Sequence, residues 1–228
     1  MVLNQLGLTT PDCIRALYGT LNYTLQATDQ NTVSHANFLN QTSYRKDIKK
    51  FLQRFLPEAL PVVDTFPITV VADANDDQGP YTNEQINAYK NIEATMDSQI
   101  ILSLTWPTPF EAINVGGKPP FKKDRATHPN DNEPYLTFLN YLLERDEVPN
   151  VISISYGENE QTVPESYARR VCSAFAQLGA RGVSVLASSG DFGVGDDSYC
   201  VSNDGTKTRK FLPHFPASCP WVTAVGGK

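Results

Sequence analysis

Residues 151–189 open with Val151-Ile-Ser-Ile-Ser-Tyr156 and close with Val183-Ser-Val-Leu-Ala-Ser-Ser189. Both runs are short and carry β-branched and apolar residues, the composition of buried strands. Between them, residues 164–178 start on a proline that suits a first helical turn and stop before Gly179. Strand, helix, strand is how a parallel sheet is wound.

The alternation continues on both sides. Upstream, Ile68-Thr-Val-Val-Ala-Asp73 reads as a strand, 83–97 as a helix, 99–105 as a strand and 133–145 as a helix with Leu136, Leu139, Tyr141 and Leu143 on or beside its buried face. Downstream, Trp221-Val-Thr-Ala-Val225 is one more strand. Near the start, Thr10-Pro11-Asp12 opens a helix that stops at Gly19, with Thr10 as its cap and Asp12 near its positive end. A weak strand is expected over 21–27. A basic amphipathic helix is expected over 44–57, with Lys46, Lys49, Lys50 and Arg54 alternating with Ile48, Phe51, Leu52 and Phe55. Residues 107–134, rich in Pro, Gly and Lys, read as a long surface loop. The expected fold class is α/β: a mostly parallel central sheet covered on both faces, without internal repeat or domain boundary. In such sheets function collects beyond the carboxyl ends of the strands, which here carry residues 73–77, Trp106, Gly157-Glu158 and Gly190-Asp191.

The 228 residues are 40% hydrophobic and 19% charged, the composition of a globular chain. A net charge of -6 argues against nucleic acid as partner. No apolar run is long enough to span a membrane, and the first residues do not read as a signal peptide. Cys13, Cys172, Cys200 and Cys219 lack C-x-x-C spacing, so zinc is not expected. Cys200 and Cys219, flanking a polar loop, are the expected disulfide. Asn22-Tyr-Thr and Asn40-Gln-Thr are N-glycan acceptors, and with the cysteines they point to an extracellular, secreted protein, or alternatively one of the lysosome or vacuole.

Glu93 and Asp97 stand one helical turn apart on one face, a spacing at which like charges weaken a helix. Ser188-Ser-Gly-Asp191-Phe-Gly-Val-Gly ends a strand in a glycine turn and an aspartate, but lacks the G-x-G-x-x-G of a dinucleotide site. Asp191, Asp196 and Asp197 could form a calcium loop, though without EF-hand spacing; an acidic surface loop is the simpler reading. His35, His128 and His214 lie in loops or polar contexts, and no G-x-S-x-G is present, so a Ser-His-Asp hydrolase is poorly supported. His214, between prolines, reads as structural.

Taken together, Ile92-Glu-Ala-Thr-Met-Asp97, Ser153-Ile-Ser-Tyr-Gly157, Ser189-Gly-Asp191-Phe-Gly and the run from Phe215-Pro-Ala-Ser to Val225-Gly-Gly resemble the sedolisins, or serine-carboxyl peptidases, in their fungal secreted tripeptidyl-peptidase branch. The similarity is collinear from about residue 8 to 227. It implies a subtilisin-like three-layer fold. It also implies that Glu93 is the general base, Asp97 its hydrogen-bonded partner and Asp191 the oxyanion donor. Two carboxylates about 4 Å apart repel by roughly 4 kcal/mol, or about three pKa units, so the pair should share a proton in acid.

The family's nucleophile is a serine in Gly-Thr-Ser-x-Ser, and no Gly-Thr-Ser occurs in the sequence. Residues 1–228 are therefore expected to be the N-terminal portion of a peptidase catalytic domain, C-terminally truncated, without pro-domain or serine motif, and inactive and poorly soluble alone. The family's calcium site would lie in the missing part, so no cofactor is expected in this chain. The expected partner is a peptide or protein substrate, with N-glycans at Asn22 and Asn40. Glu158 stands where many relatives carry aspartate, and no role is assigned to it. The resemblance implies release of tripeptides from protein amino termini, or endopeptidase cleavage, and two further alternatives remain open: a non-catalytic relative that binds peptides or partners, and a metal-assisted hydrolase built on Asp191, Asp196, Asp197 and the Glu93/Asp97 pair.

Overall fold

The computed structural model describes residues 9–195 and 200–227. In chain order the elements are α1 (Pro11–Leu17), β1 (Val33–Asn37), α2 (Arg45–Phe55), β2 (Ile68–Val71), α3 (Asn83–Asn87), α4 (Ile92–Thr105), β3 (Phe110–Val115), α5 (Tyr135–Glu144), β4 (Val151–Ile154), β5 (Glu158–Asn159), α6 (Glu165–Ala180), β6 (Ser184–Ser188), β7 (His214–Phe215) and β8 (Thr223–Val225). Six strands form one sheet in the order β2-β3-β1-β4-β6-β8, parallel throughout. A short antiparallel pair, β5 with β7, stands apart from it.

The sheet separates two apolar layers. On one face α5 and α6 bury Tyr135, Phe138, Leu142, Val171 and Phe175 against Ala36, Ile113 and Ile152. On the other, α2 brings Ile48 and Leu52 to Leu102 of α4 and to Phe110 and Ala112. Strand β3 shows the period of two that this requires: Phe110 and Ala112 face one layer, Ile113 and Val115 the other. The result is the three-layer α/β arrangement expected.

Several expectations are corrected. Residues 21–27 form no strand, being a turn followed by irregular chain, and the strand nearby is β1, at 33–37. The proposed strand at 99–105 is the second half of α4, whose Leu102 is fully buried. A short apolar run has no periodicity to separate a buried helix from a buried strand, and the length of the uninterrupted segment decides it. Accordingly Trp106 caps a helix and does not end a strand. The loop expected over 107–134 contains β3, every residue of which is buried.

The helix expected over 83–97 is broken. Asn91, in a left-handed conformation (φ 62°), separates α3 from α4. Its buried side chain accepts from the Thr42 N–H at 3.0 Å and donates to the Tyr81 hydroxyl at 2.8 Å. That break sets where α4 begins, and Glu93 lies in its first turn. The disulfide also differs: Cys172 of α6 bonds Cys219, and Cys13 and Cys200 are free.

Candidate active site

Strands β2, β1, β4 and β6 end on one side of the sheet, and the polar side chains of the site gather there. A buried amide ladder knits these ends together. Asn37 of β1 donates to Asn114 of β3 at 2.8 Å, and Asn114 donates to the Thr42 hydroxyl and the Asn75 carbonyl, each at 2.8 Å. The segment after β1 then lies against α4: Gln41 accepts from the Ala94 N–H at 3.3 Å, and the Tyr44 N–H donates to the Thr95 hydroxyl at 3.1 Å.

On α4, Glu93 and Asp97 share a face. Asp97 accepts from the Ser155 hydroxyl at 3.0 Å, just beyond β4. Its other carboxylate oxygen lies 3.5 Å from Nδ1 of His35, too long for a hydrogen bond but within reach of charge. His35 is fully buried in β1. Its ring stacks on Phe110, and its Nε2 sits 3.0 Å from Ser98 Oγ and 3.1 Å from Ser43 Oγ. The histidine read as lying in a loop or polar context is on a central strand, next to the acidic pair.

Glu93 is half-buried, and its pKa is pushed up from 4.5 to about 7, by burial first, then by the charges of Asp97 and Asp191. The positive end of α4 favours an anion in its first turn, so desolvation and like charge outweigh the helix dipole here. The expected like-charge effect is present, but burial is the larger cause. Asp191, exposed after β6, is near enough for its charge to be felt at Glu93. The three acidic residues singled out in the sequence are thus brought to one place. Asp196 and Asp197 lie outside the described residues. Among the described residues no group of three or more His, Cys, Asp or Glu side chains could hold a metal ion.

The turns at both strand ends are tight. A Cβ at Gly157 would lie 2.5 Å from His214 Cε1, and one at Gly190 (φ 83°) would lie 2.9 Å from His214 Nε2. His214 in β7 fills the space between the two glycines, which agrees with a structural role. Ser155 and His35 were missed as site residues. Ser155 belonged to a quoted marker and could have been found by asking which hydroxyl follows β4. His35 gave no signal without its strand.

Three comparisons fit this geometry. The chain is 39% identical over 227 residues to tripeptidyl-peptidase sed4 of Aspergillus fumigatus, a match that covers 97% of this chain and 36% of that protein. It is 38% identical over 231 residues to tripeptidyl-peptidase SED2 of Arthroderma otae, covering 98% and 37%. Among solved structures, the fold matches Pseudomonas sedolisin, a serine-carboxyl proteinase complexed with two molecules of pseudo-iodotyrostatin. That match has a TM-score of 0.60 and 20% identity over 96% of this chain and 53% of the other. No family model matches the chain.

The chain belongs to the sedolisins, the family of serine-carboxyl peptidases. Within that family it stands with the fungal tripeptidyl-peptidases, and it spans 36% of the length of the first of them.

Proposed function

We propose that this chain is the acid–base portion of a serine-carboxyl peptidase that removes tripeptides from the amino termini of peptides and proteins. The observation that supports this most is Glu93. It is half-buried at the strand ends, holds its proton up to about pH 7, and feels the charges of both Asp97 and Asp191. A carboxyl group placed in that way can move a proton at mildly acidic pH, where an ordinary glutamate stays ionised.

In this reading Glu93 and Asp97 titrate as a pair. When ionised, Glu93 takes the proton of an attacking serine, and its pKa of about 7 makes it a stronger base than an ordinary glutamate. It later passes that proton to the leaving amine. The Ser155 hydroxyl fixes the orientation of Asp97. Asp191, beyond β6, takes the place of the oxyanion donor for the tetrahedral intermediate. Above about pH 7 Glu93 no longer retains the proton it must pass to the leaving amine, so activity falls through neutrality.

The nucleophile is the missing member. No Gly-Thr-Ser occurs in the 228 residues, and the loss of one member of such a set removes nearly all the rate. The chain by itself is therefore expected to be inactive as a peptidase. Secretion and N-glycans belong to the same proposal. Asn22 and Asn40 are both exposed, as glycan acceptors must be, and no helix among the described residues is long and apolar enough to cross a membrane.

The test is to read the transcript past the codon for Lys228, express whatever follows with this chain, and assay tripeptide release across acidic pH. A Gly-Thr-Ser-x-Ser motif, release in acid and its loss in Glu93→Gln are expected. An alkaline optimum, or full activity in Glu93→Gln, would overturn the reading. So would tripeptide release by residues 1–228 alone, which would require a different nucleophile.

A further inference from the structure

Behind the acidic pair, two buried atoms face each other and have no hydrogen-bond partner: Nδ1 of His35 and one carboxylate oxygen of Asp97. They lie 3.5 Å apart, with the His35 ring fully buried and the Asp97 side chain 11% exposed. The opposite edge of the ring is well supplied. Nε2 sits 3.1 Å from the Ser43 hydroxyl and 3.0 Å from that of Ser98. Ser98 donates to Ser43 at 2.7 Å, and Ser43 also accepts from the Asn37 amide at 3.3 Å. With both its acceptor positions filled, the Ser43 hydroxyl has its own hydrogen left for Nε2. The competing acceptor, the Ala94 carbonyl, is farther away at 3.4 Å.

A ring nitrogen that accepts leaves the hydrogen on the other nitrogen. That places it on Nδ1, facing Asp97. The opposite tautomer would turn a lone pair toward a carboxylate that already acts on Glu93 as a negative charge. Asp97 is thus held at both oxygens. The Ser155 hydroxyl donates to one at 3.0 Å, and the His35 N–H dipole points at the other. Donors directed at the charged form of a carboxyl group favour that form. Glu93, by contrast, is held toward its neutral form by burial.

We propose that His35 is the positioning residue of the acidic pair: its Nδ1–H, aimed by Ser43 and Ser98, keeps Asp97 a carboxylate and leaves the proton of the pair to Glu93. This rests on the reading of Glu93 as the proton-transfer group and says what in the fold selects it over Asp97. The other titratable groups that feel the charge of Asp97 are Glu93 on the same helix and the Tyr156 phenol beyond β4. Neither is among the donors to its carboxylate. Asp191 acts on Glu93 from beyond β6.

NMR of this chain, with nitrogen-labelled histidine and carbon-labelled carboxyl groups, tests the assignment. In the unsubstituted chain the His35 hydrogen is expected on Nδ1. The proton lost at about pH 7 is expected to be read at the Glu93 carboxyl and not at that of Asp97. In His35→Phe, which keeps an aromatic ring and loses both nitrogens, the same step is expected to be divided between the Asp97 and Glu93 signals. His35→Asn, whose side-chain amide reaches the place of Nδ1, is expected to return it to Glu93. A ring that merely fills space would not move the proton. A bare Nδ1 in the unsubstituted chain would overturn the proposal, as would a His35→Phe chain that keeps the whole step on Glu93. Either result leaves the raised midpoint of Glu93, and with it the peptidase reading, standing. The nitrogen measurement needs no variant, so it holds even if His35→Phe does not fold. A Glu93 midpoint at the ordinary 4.5 would contradict both the proposal and the peptidase reading.

Discussion

At Glu93 two causes act in the same direction. Burial comes first and the charges of Asp97 and Asp191 follow. Removing one charge should therefore lower its proton affinity only in part: in Asp97→Asn, Glu93 is expected to titrate below 7 but still above its ordinary 4.5, read by carbon NMR of the labelled carboxyl. His35 is fully buried, with hydroxyls at Nε2 and a carboxylate oxygen facing Nδ1. His35→Ala removes the Nε2 contacts of Ser43 and Ser98 and the ring's stacking on Phe110, and should cost about 1–3 kcal/mol in urea melts. A loss of under a few tenths would show that the cluster does not depend on the ring. The acidic pair was legible in sequence because helical spacing alone puts i and i+4 on one face. His35 was not, because its neighbours Ser98 and Ser43 come from α4 and from the segment after β1, 63 and 8 residues away respectively, and only folding brings them together.

At the scale of elements, legibility followed period and punctuation. Helices α2, α5 and α6 and strands β2, β4 and β6 stood out because a proline, a glycine or a clear apolar rhythm marked them. Strand β1, Val33-Ser-His-Ala-Asn37, puts Ser34 and Ala36 on one face and Val33, His35 and Asn37 on the other, so neither face reads as apolar and no strand stood out. Strand β3 is buried on both faces and includes Glu111, held by Arg145 at 2.9 Å and by the Thr69 hydroxyl at 2.6 Å. A charged residue in the middle of a core strand disguised it. The apolar end of α4 was the opposite case, a helix that resembled a strand. Because Leu102 lies in the core between α2 and the sheet, Leu102→Ala should cost about 2–5 kcal/mol. A negligible change in chemical denaturation would show that this half of α4 does not pack as described.

For the whole molecule, pH sets stability through its raised carboxyl groups. The folded chain keeps a proton on Glu93 between pH 4.5 and about 7, where the unfolded chain has released it. Burial raises Glu133 and Glu158 in the same direction. With more protons bound in the folded state, stability is fullest below about 4.5 and falls as pH rises through 7. Thermal melts across that window should show the decline, and Glu158→Gln should flatten it. A melting temperature that rises toward neutral pH would contradict it. The sheet also ends at β8, an edge strand whose residues are all exposed, with Trp221 60% and Val225 51% exposed beside it. Such an edge invites pairing, and light scattering is expected to report self-association that grows with concentration.

The most direct test of the proposed chemistry is the titration of Glu93 in the unsubstituted chain, followed by carbon NMR of the labelled carboxyl from acid to mild base. A midpoint near 7 is predicted, from a carboxyl that burial and two acidic neighbours hold protonated. A midpoint at the ordinary 4.5 would mean that Glu93 is a solvated surface acid, and that the acidic pair does not form the proton-transfer centre of a peptidase.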